Sequence, residues 1–417
     1  MMKRLTARRD QRIVSVQSTR APSHHIAPLL LSHQNNRQMS KTKNGSGFSL
    51  KDQLFNRESV EYLGNLFVAS DPAFDRGWFV RHGIKPFGQL ELKQRIVHLA
   101  QILESCLSPD FKIAARQIVA ALPPPLDPTN VDNDFGDFIF APLGEYIVRN
   151  GLEKRYLKLS LRTIHAITQR FSMEHSIRAF INTFPDETLA VLGQWVTHKN
   201  YHVRRLVSEG TRPLLPWSGR LSIPTDAPLP MLDVLHADPT RYVTRSVANH
   251  LNDLSKSNPA VVIDRLQKWK SVGQQKDAEL QWISRHALRT LVKKGDAAAL
   301  RFLGFRTNPK ITVSDLRLRS ARIKPGEAID FSFHISADRK ESLVVDFVID
   351  FVKANGTLAP KVHKLKQLTI GRGESVEVQK RHPLRANATT YTLYPGTHRL
   401  TVQINGKAYA TETFDLV

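Results

Sequence analysis

Apolar residues recur at spacings of three and four from Phe48 to about Gly304, the period of helices that bury one face. Ser49 with Gln53 marks a first helix start, and Val60 to Phe67, Leu90 to Leu107 and Phe111 to Leu122 continue the helical pattern. Pro123-Pro124-Pro125 and the Asp-rich stretch Asp127 to Asp137 interrupt it. After about Arg306 the period shortens to two. Lys310 to Val313, Ala328 to Ile335, Leu343 to Val352 and Tyr391 to Leu393 alternate or run apolar, while Ala354-Asn355-Gly356 and Ile404-Asn405-Gly406-Lys407 carry hairpin-turn residues. About seven short strands in roughly 110 residues predict a sandwich of immunoglobulin type.

Within the helical stretch a pattern repeats. His202-Val203-Arg204-Arg205-Leu206-Val207, Tyr242-Val243-Thr244-Arg245-Ser246-Val247 and Trp282-Ile283-Ser284-Arg285-His286-Ala287 share the order ring, aliphatic, any, Arg, any, aliphatic or small. Arginines at 205, 245 and 285 give a period of 40, the signature of paired-helix units of HEAT type stacked into a solenoid. The chain is therefore expected to be mainly α, with a HEAT-like α-solenoid over 48–306 followed by a small all-β immunoglobulin-like sandwich over 307–417. On a helical wheel Val243, Val247, Leu251 and Leu254 form an apolar stripe, while Arg245, Asn249, Asp253 and Lys256 fall within an arc of about 80°. The same rungs hold Arg285, Arg289 and Lys293 in the next repeat, and Arg205 and Glu209 followed by Arg212 in the previous one. A basic inner face of this kind suits a phosphate backbone.

Composition sharpens that picture. The 417 residues hold 60 Lys+Arg against 38 Asp+Glu, a net charge of +22, which points to a polyanionic partner, nucleic acid ahead of an acidic membrane surface. No run of about 18 apolar residues suggests a membrane span. The single cysteine, Cys106, excludes a disulfide framework and a Cys-based metal site, fits a reducing compartment, and lies in an apolar helical pattern as a core residue. The 16 histidines include no HExxH spacing, and no phosphate-cradling glycine motif occurs, so neither metal nor cofactor is expected. Residues 1–47 are rich in Lys and Arg, with Asp10 as the one acid, and lack periodicity; they read as a disordered extension. Translation starting at Met39 and an organellar transit peptide are the two explanations.

Acids within a basic face need a reason, because a carboxylate facing a polyanion costs affinity. Asp253 and Glu209 are either intramolecular partners of Arg245 or Lys256, or catalytic carboxylates held where positive charge develops. Glu174, following Ser172, reads as a first-turn helix acid. Trp217, in the Pro-bounded turn Leu214-Leu215-Pro216-Trp217-Ser218-Gly219, is either core or a stacking surface for a base.

The blocks Arg205 to Pro213 leading to Leu215-Pro216-Trp217, Arg245 to Asp253, and Arg285 to Leu291 together resemble the AlkC branch of the AlkC/AlkD DNA alkylation repair glycosylases, over about Ser49 to Gly304. Some AlkC-like proteins carry a β-domain in the position of the one expected here. The resemblance implies cleavage of the N-glycosidic bond of cationic alkylated bases, such as 3-methyladenine and 3-methylcytosine, without extruding the base. It implies Glu174 and Asp253 as catalytic carboxylates and Trp217 and Arg212 as lesion contacts. The partner would be double-stranded DNA containing alkylated bases, met by a monomer in the bacterial cytoplasm. Arg205, Arg245, Arg285, Arg289 and Lys293 would hold the DNA backbone. The chemistry suits these residue types: an N3-alkylated base already carries positive charge and needs no general acid, so ionised carboxylates have only to stabilise an oxocarbenium-like sugar and position water. A non-enzymatic HEAT-repeat protein that binds damaged or branched DNA is the alternative.

Overall fold

The computed structural model describes residues 49–129, 132, 135–386, 388 and 391–417; the basic extension and its candidate start at Met39 lie outside them. Helices α1 (Leu50–Leu54), α2 (Arg57–Ser70), α3 (Arg76–Ile84), α4 (Leu92–Cys106) and α5 (Phe111–Ala120) precede the three prolines. Helices α6 (Ala141–Gly151), α7 (Leu157–Thr168), α8 (Glu174–Thr183), α9 (Pro185–Trp195), α10 (Tyr201–Gly210), α11 (Leu229–Leu235) and α12 (Arg241–Leu254) follow. The last four are α13 (Pro259–Val272), α14 (Asp277–Ala287), α15 (Arg289–Lys293) and α16 (Ala297–Phe302). The spacing rule works as expected in α2, where Val60, Leu63, Gly64 and Phe67 face inward and Asn56 and Ser59 form a capping box. Ser49 stands at the start of α1, but its hydroxyl donates to Asp52 at 2.5 Å and caps nothing.

The described residues fall into two compact units. One holds the helices up to Asn258 together with Asp264–Ala287; the other comprises Pro259–Ile263 and Leu288–Val417. In the first, α10, α12 and α14 carry the repeat arginines, and α12 packs against both others. Val243, Val247, Leu251 and Leu254 are fully buried, as the wheel requires. Polar contacts recur between neighbouring repeats. Arg204 donates to Asp238 at 2.5 Å, and Arg241 donates to Glu279 at 2.8 Å. Behind them, the buried Trp269 of α13 donates to Asp233 of α11 at 2.7 Å and stacks on His236.

The second unit is built on strands β1 (Ile311–Leu318), β2 (Arg322–Ile323), β3 (Ala328–Ala337), β4 (Glu341–Val352), β5 (Leu358–Ile370), β6 (Ser375–Pro383), β7 (Gly396–Ile404) and β8 (Lys407–Leu416). They form two sheets, ordered β1-β3-β6 and β2-β8-β7-β4-β5. Alternate residues of β3, Ile329, Phe331, Phe333 and Ile335, meet Leu343, Val345, Phe347 and Ile349 of β4 in the core between them. One expected strand is absent: Tyr391 to Leu393 lie in the connection leading to β7, ahead of Pro395, where alternation finds no neighbouring strand to pair with.

Both turn predictions hold. Asn405 and Gly406 have φ of 48° and 78° in the two-residue link from β7 to β8, and Gly356 has φ of 76° between β4 and β5. Gly406 is further constrained because an added Cβ would lie 2.0 Å from the Cα of Gly295. Gly406→Ala is thus expected to destabilise this unit by more than about 1 kcal/mol, read as a lower urea midpoint of the transition that carries the β-sheet signal. An unchanged midpoint would show that the two backbones do not meet.

Candidate active site

Three helices and one loop converge on a chain of alternating charges. Glu174 opens α8, and its Oε2 accepts from the Ser172 hydroxyl at 2.5 Å and from Arg205 Nη1 at 2.8 Å. Arg205, on α10, approaches Glu209 one turn later at 3.7 Å and lies over the Tyr242 ring. Glu209 accepts from Ser246 of α12 at 2.6 Å and from Arg212 Nη1 at 2.6 Å. Arg212 then reaches Asp253 of α12, with Nε at 3.0 Å and Nη2 at 2.9 Å from one carboxylate oxygen. Lys256 stands 3.4 Å from the other oxygen of Asp253.

The electrostatics follow from burial and pairing. Burial by itself would raise the Glu209 carboxyl, but Arg212 and Arg205 on either side hold it below the usual carboxylate range. Arg178, on α8, is pulled below the ordinary guanidinium value by burial and by the like charge of Arg212, with Asp253, Glu174 and Glu209 opposing. The two expected catalytic carboxylates differ in access. Glu174's side chain is 19% exposed and Asp253's is 3%.

Trp217 resolves in favour of the surface. It is 52% exposed, and its backbone takes φ of 63°, a left-handed conformation that costs a bulky residue on the order of 1–3 kcal/mol. The loop is braced along one face of α8. Arg178 donates to the carbonyls of Gly210, Arg212 and Gly219 at 3.1, 2.7 and 2.6 Å. His175 meets the Ser218 hydroxyl at 2.5 Å, Asn182 donates to the Arg220 carbonyl at 3.2 Å, and Lys93 of α4 donates to the Trp217 carbonyl.

The structure thus brings Glu174, Arg212 and Asp253 into one network and corrects the set of backbone contacts. Arg205 is 7% exposed and spent on Glu174, Glu209 and Ser172, so it is no phosphate ligand. Its guanidinium is held inward by Glu174 at the start of the neighbouring α8 and by Glu209 one turn on along α10 itself. Asp253 pairs with Arg212 and Lys256, whereas Arg245 pairs with Asp132. Arg285 is exposed on α14. The rung through Arg285, Arg289 and Lys293 is broken by a turn at the fully buried Leu288, which ends α14 and starts α15. Arg289 and Lys293 therefore belong to the β-containing unit, where the Lys293 carbonyl accepts from Gln403 at 3.1 Å. Two residues outside the set that the resemblance implies hold it together: Glu209, which the sequence offered as either an ion-pair partner or a catalytic carboxylate and which pairs with Arg205 and Arg212, and Arg178, for which periodicity offered no signal. Among the described residues no three His, Cys, Asp or Glu side chains converge as a metal centre would need, and no helix is long and apolar enough to cross a membrane.

A family model described as the C-terminal Ig-like domain of the uncharacterised protein YhaZ matches residues 312–417. The chain is 32% identical over 359 residues to the uncharacterized protein YhaZ of Bacillus subtilis (strain 168), covering 85% of this chain and 96% of that one. The fold superposes on Pseudomonas fluorescens alkylpurine DNA glycosylase AlkC bound to DNA containing an abasic site analog, with TM-score 0.80, 32% identity, and coverage of 89% of this chain and 100% of that one.

A carboxyl held low in the folded state contributes stability above the ordinary carboxylate range and loses it as pH falls through the folded value. Glu209→Gln removes the carboxylate shared by Arg205 and Arg212, leaving each buried guanidinium with a single acid partner, Glu174 and Asp253 respectively, and is expected to cost about 3–5 kcal/mol at neutral pH. The gap from wild type should narrow on acidification, as Glu209 itself protonates. Urea denaturation at neutral and acidic pH measures both; a gap independent of pH would mean that Glu209 is not ionised in the fold.

Proposed function

Since the chain belongs to the AlkC branch of the AlkC/AlkD-like DNA alkylation repair glycosylases, we propose that it hydrolyses the N-glycosidic bond of cationic N3-alkylated bases, 3-methyladenine and 3-methylcytosine, leaving the base in the stack. The observation that carries this reading is the run Glu174, Arg205, Glu209, Arg212 and Asp253, with the exposed Trp217 on the loop that Arg212 begins. Carboxylates concentrated in a chain of +22 suit a reaction centre that is itself cationic.

The base leaves with the electron pair of the bond from C1′ to nitrogen and becomes neutral, so no acid need protonate it. Water adds to C1′ and gives up a proton. Glu174, the more open carboxylate, is placed to orient that water, while Asp253, tied to Arg212, supplies fixed negative charge to the oxocarbenium-like sugar. The face of Trp217 against a cationic base would add roughly 0.5–2 kcal/mol. Neutral bases leave far more slowly under these conditions, which gives selectivity without a tight pocket.

In this reading residues 48–306 form the glycosylase domain, Arg245, Arg285, Arg289 and Lys293 contact phosphates, and residues 307–417 form an accessory module that grips the backbone. A groove lined by Arg317, Arg319, Lys380 and Arg381 on the β1-β3-β6 sheet supports the last point. The protein acts as a monomer on DNA in the bacterial cytoplasm, monofunctionally and without cofactor.

Purified protein incubated with methylated duplex DNA should release 3-methyladenine, measured by chromatography; no release above a boiled control would leave a binding-only protein. Asp253→Asn and Glu174→Gln should each lower the single-turnover rate by about 100-fold or more while affinity for abasic-site DNA stays near wild type. Arg319→Glu combined with Arg381→Glu should weaken DNA binding and flatten its salt dependence by about two phosphate contacts. An unchanged salt slope would remove the accessory module from the DNA contact.

A further inference from the structure

The loop that carries Trp217 has one backbone hydrogen bond of its own across the ring's position, from the Ser218 N–H to the Leu215 carbonyl at 3.2 Å, and its other main-chain ties come from outside. Its backbone carbonyls are tied from outside, three of them by a single guanidinium, and the ring it displays is in a backbone conformation that a tryptophan rarely adopts. Arg178 is 4% exposed, so this guanidinium is unavailable to DNA, and its three contacts are all to main-chain oxygens of Gly210, Arg212 and Gly219. Those oxygens bracket the segment from the end of α10 past Trp217. On the exposed side Lys93 donates to the Trp217 carbonyl itself. The helix that supplies Arg178 also begins with Glu174, so one rigid element fixes a carboxylate and the aromatic loop relative to each other.

We propose that Arg178 is a positioning residue of the glycosylase site: by tying the carbonyls of Gly210, Arg212 and Gly219 it holds Trp217 outward in its left-handed conformation, with Lys93 as a second tether at Trp217 itself. This rests on the reading of Trp217 as the lesion-contacting ring. A lysine at 178 would keep the charge but not the planar fork that reaches carbonyls in two directions, so Arg178→Lys separates position from electrostatics. Freed of its ties, the loop returns to ordinary backbone angles and the ring leaves its station.

The test has two arms. The fluorescence of Trp217, one of five tryptophans, is taken as the difference between each protein and its Trp217→Phe counterpart. Its acrylamide quenching should change by about twofold in Arg178→Lys and in Lys93→Met, as expected when a ring held half in solvent is released. Unchanged quenching in both overturns the proposal whether or not the protein is a glycosylase. In the second arm, Arg178→Lys should slow single-turnover release of 3-methyladenine by about 10- to 100-fold, the penalty of a misplaced group, with abasic-DNA affinity retained. In a Trp217→Ala background the same substitution should cost less than about twofold; fully additive losses would overturn the proposal by showing that Arg178 does not act through Trp217. If Arg178→Lys does not fold, Lys93→Met, on the protein surface, carries both arms. If wild type releases no base, the glycosylase reading fails, and the quenching arm alone decides the loop.

Discussion

A charge removed from water must meet an opposite charge or surrender its ionisation, and that requirement organises the centre of the helical unit. Glu174 from α8, Arg205 and Glu209 from α10, Arg212 from the following loop and Asp253 from α12 alternate in sign along one buried path. The hydroxyls of Ser172 and Ser246 donate to its carboxylates. Each internal member is compensated by two neighbours, so removing any one leaves a buried partner exposed to its own desolvation cost. Apolar faces would let these helices slide by a turn; the charge sequence does not, because a shifted register would set like against like.

That path also explains how a strongly basic chain can hold acids where it needs them. The arginines at the repeat period divide by environment. Arg205 faces inward and orients carboxylates, whereas Arg285 faces solvent and Arg245 is partly exposed with Asp132 as its partner. Long-range attraction for a polyanion comes from the excess charge spread over the surface, which is screened by salt. Local charge at the buried path is close to balanced, and its interactions are shielded from salt by burial. On the proposed function, the same molecule attracts phosphates and stabilises a cation without the two demands cancelling.

The helical repeats use a smaller version of the same principle. Arg204 with Asp238 and Arg241 with Glu279 join each inner helix to the repeat that follows. In the β-containing unit the joining is done by close packing, with Gly406 against Gly295 and Asn405 bonded to the Val344 amide and the Arg306 carbonyl. One contact depends on charge complementarity and the other on the absence of a side chain.

Periodicity sufficed to show α2, α4 and α5, the 40-residue repeat on α10, α12 and α14, strands β1, β3 and β4 and both hairpin turns, because each of these is written in a local pattern of residues. It overreached at Tyr391 to Leu393, where alternation met no partner strand, and at the rung through Arg285, Arg289 and Lys293, which a turn at Leu288 interrupts. The acids Glu174, Glu209 and Asp253 stood out in the sequence as exceptions, but which arginine faces which acid did not. Asp253 shares a helix with Arg245, eight residues or about two turns before it, yet it meets Arg212, 41 residues earlier. Arg178 bore no mark in the sequence, since its partners are carbonyl groups that every residue possesses. Sequence alone thus determined the elements and the residue types available for chemistry. Only the tertiary structure decided the pairing, because a guanidinium or a carbonyl chooses its partner by distance in space and not by spacing along the chain.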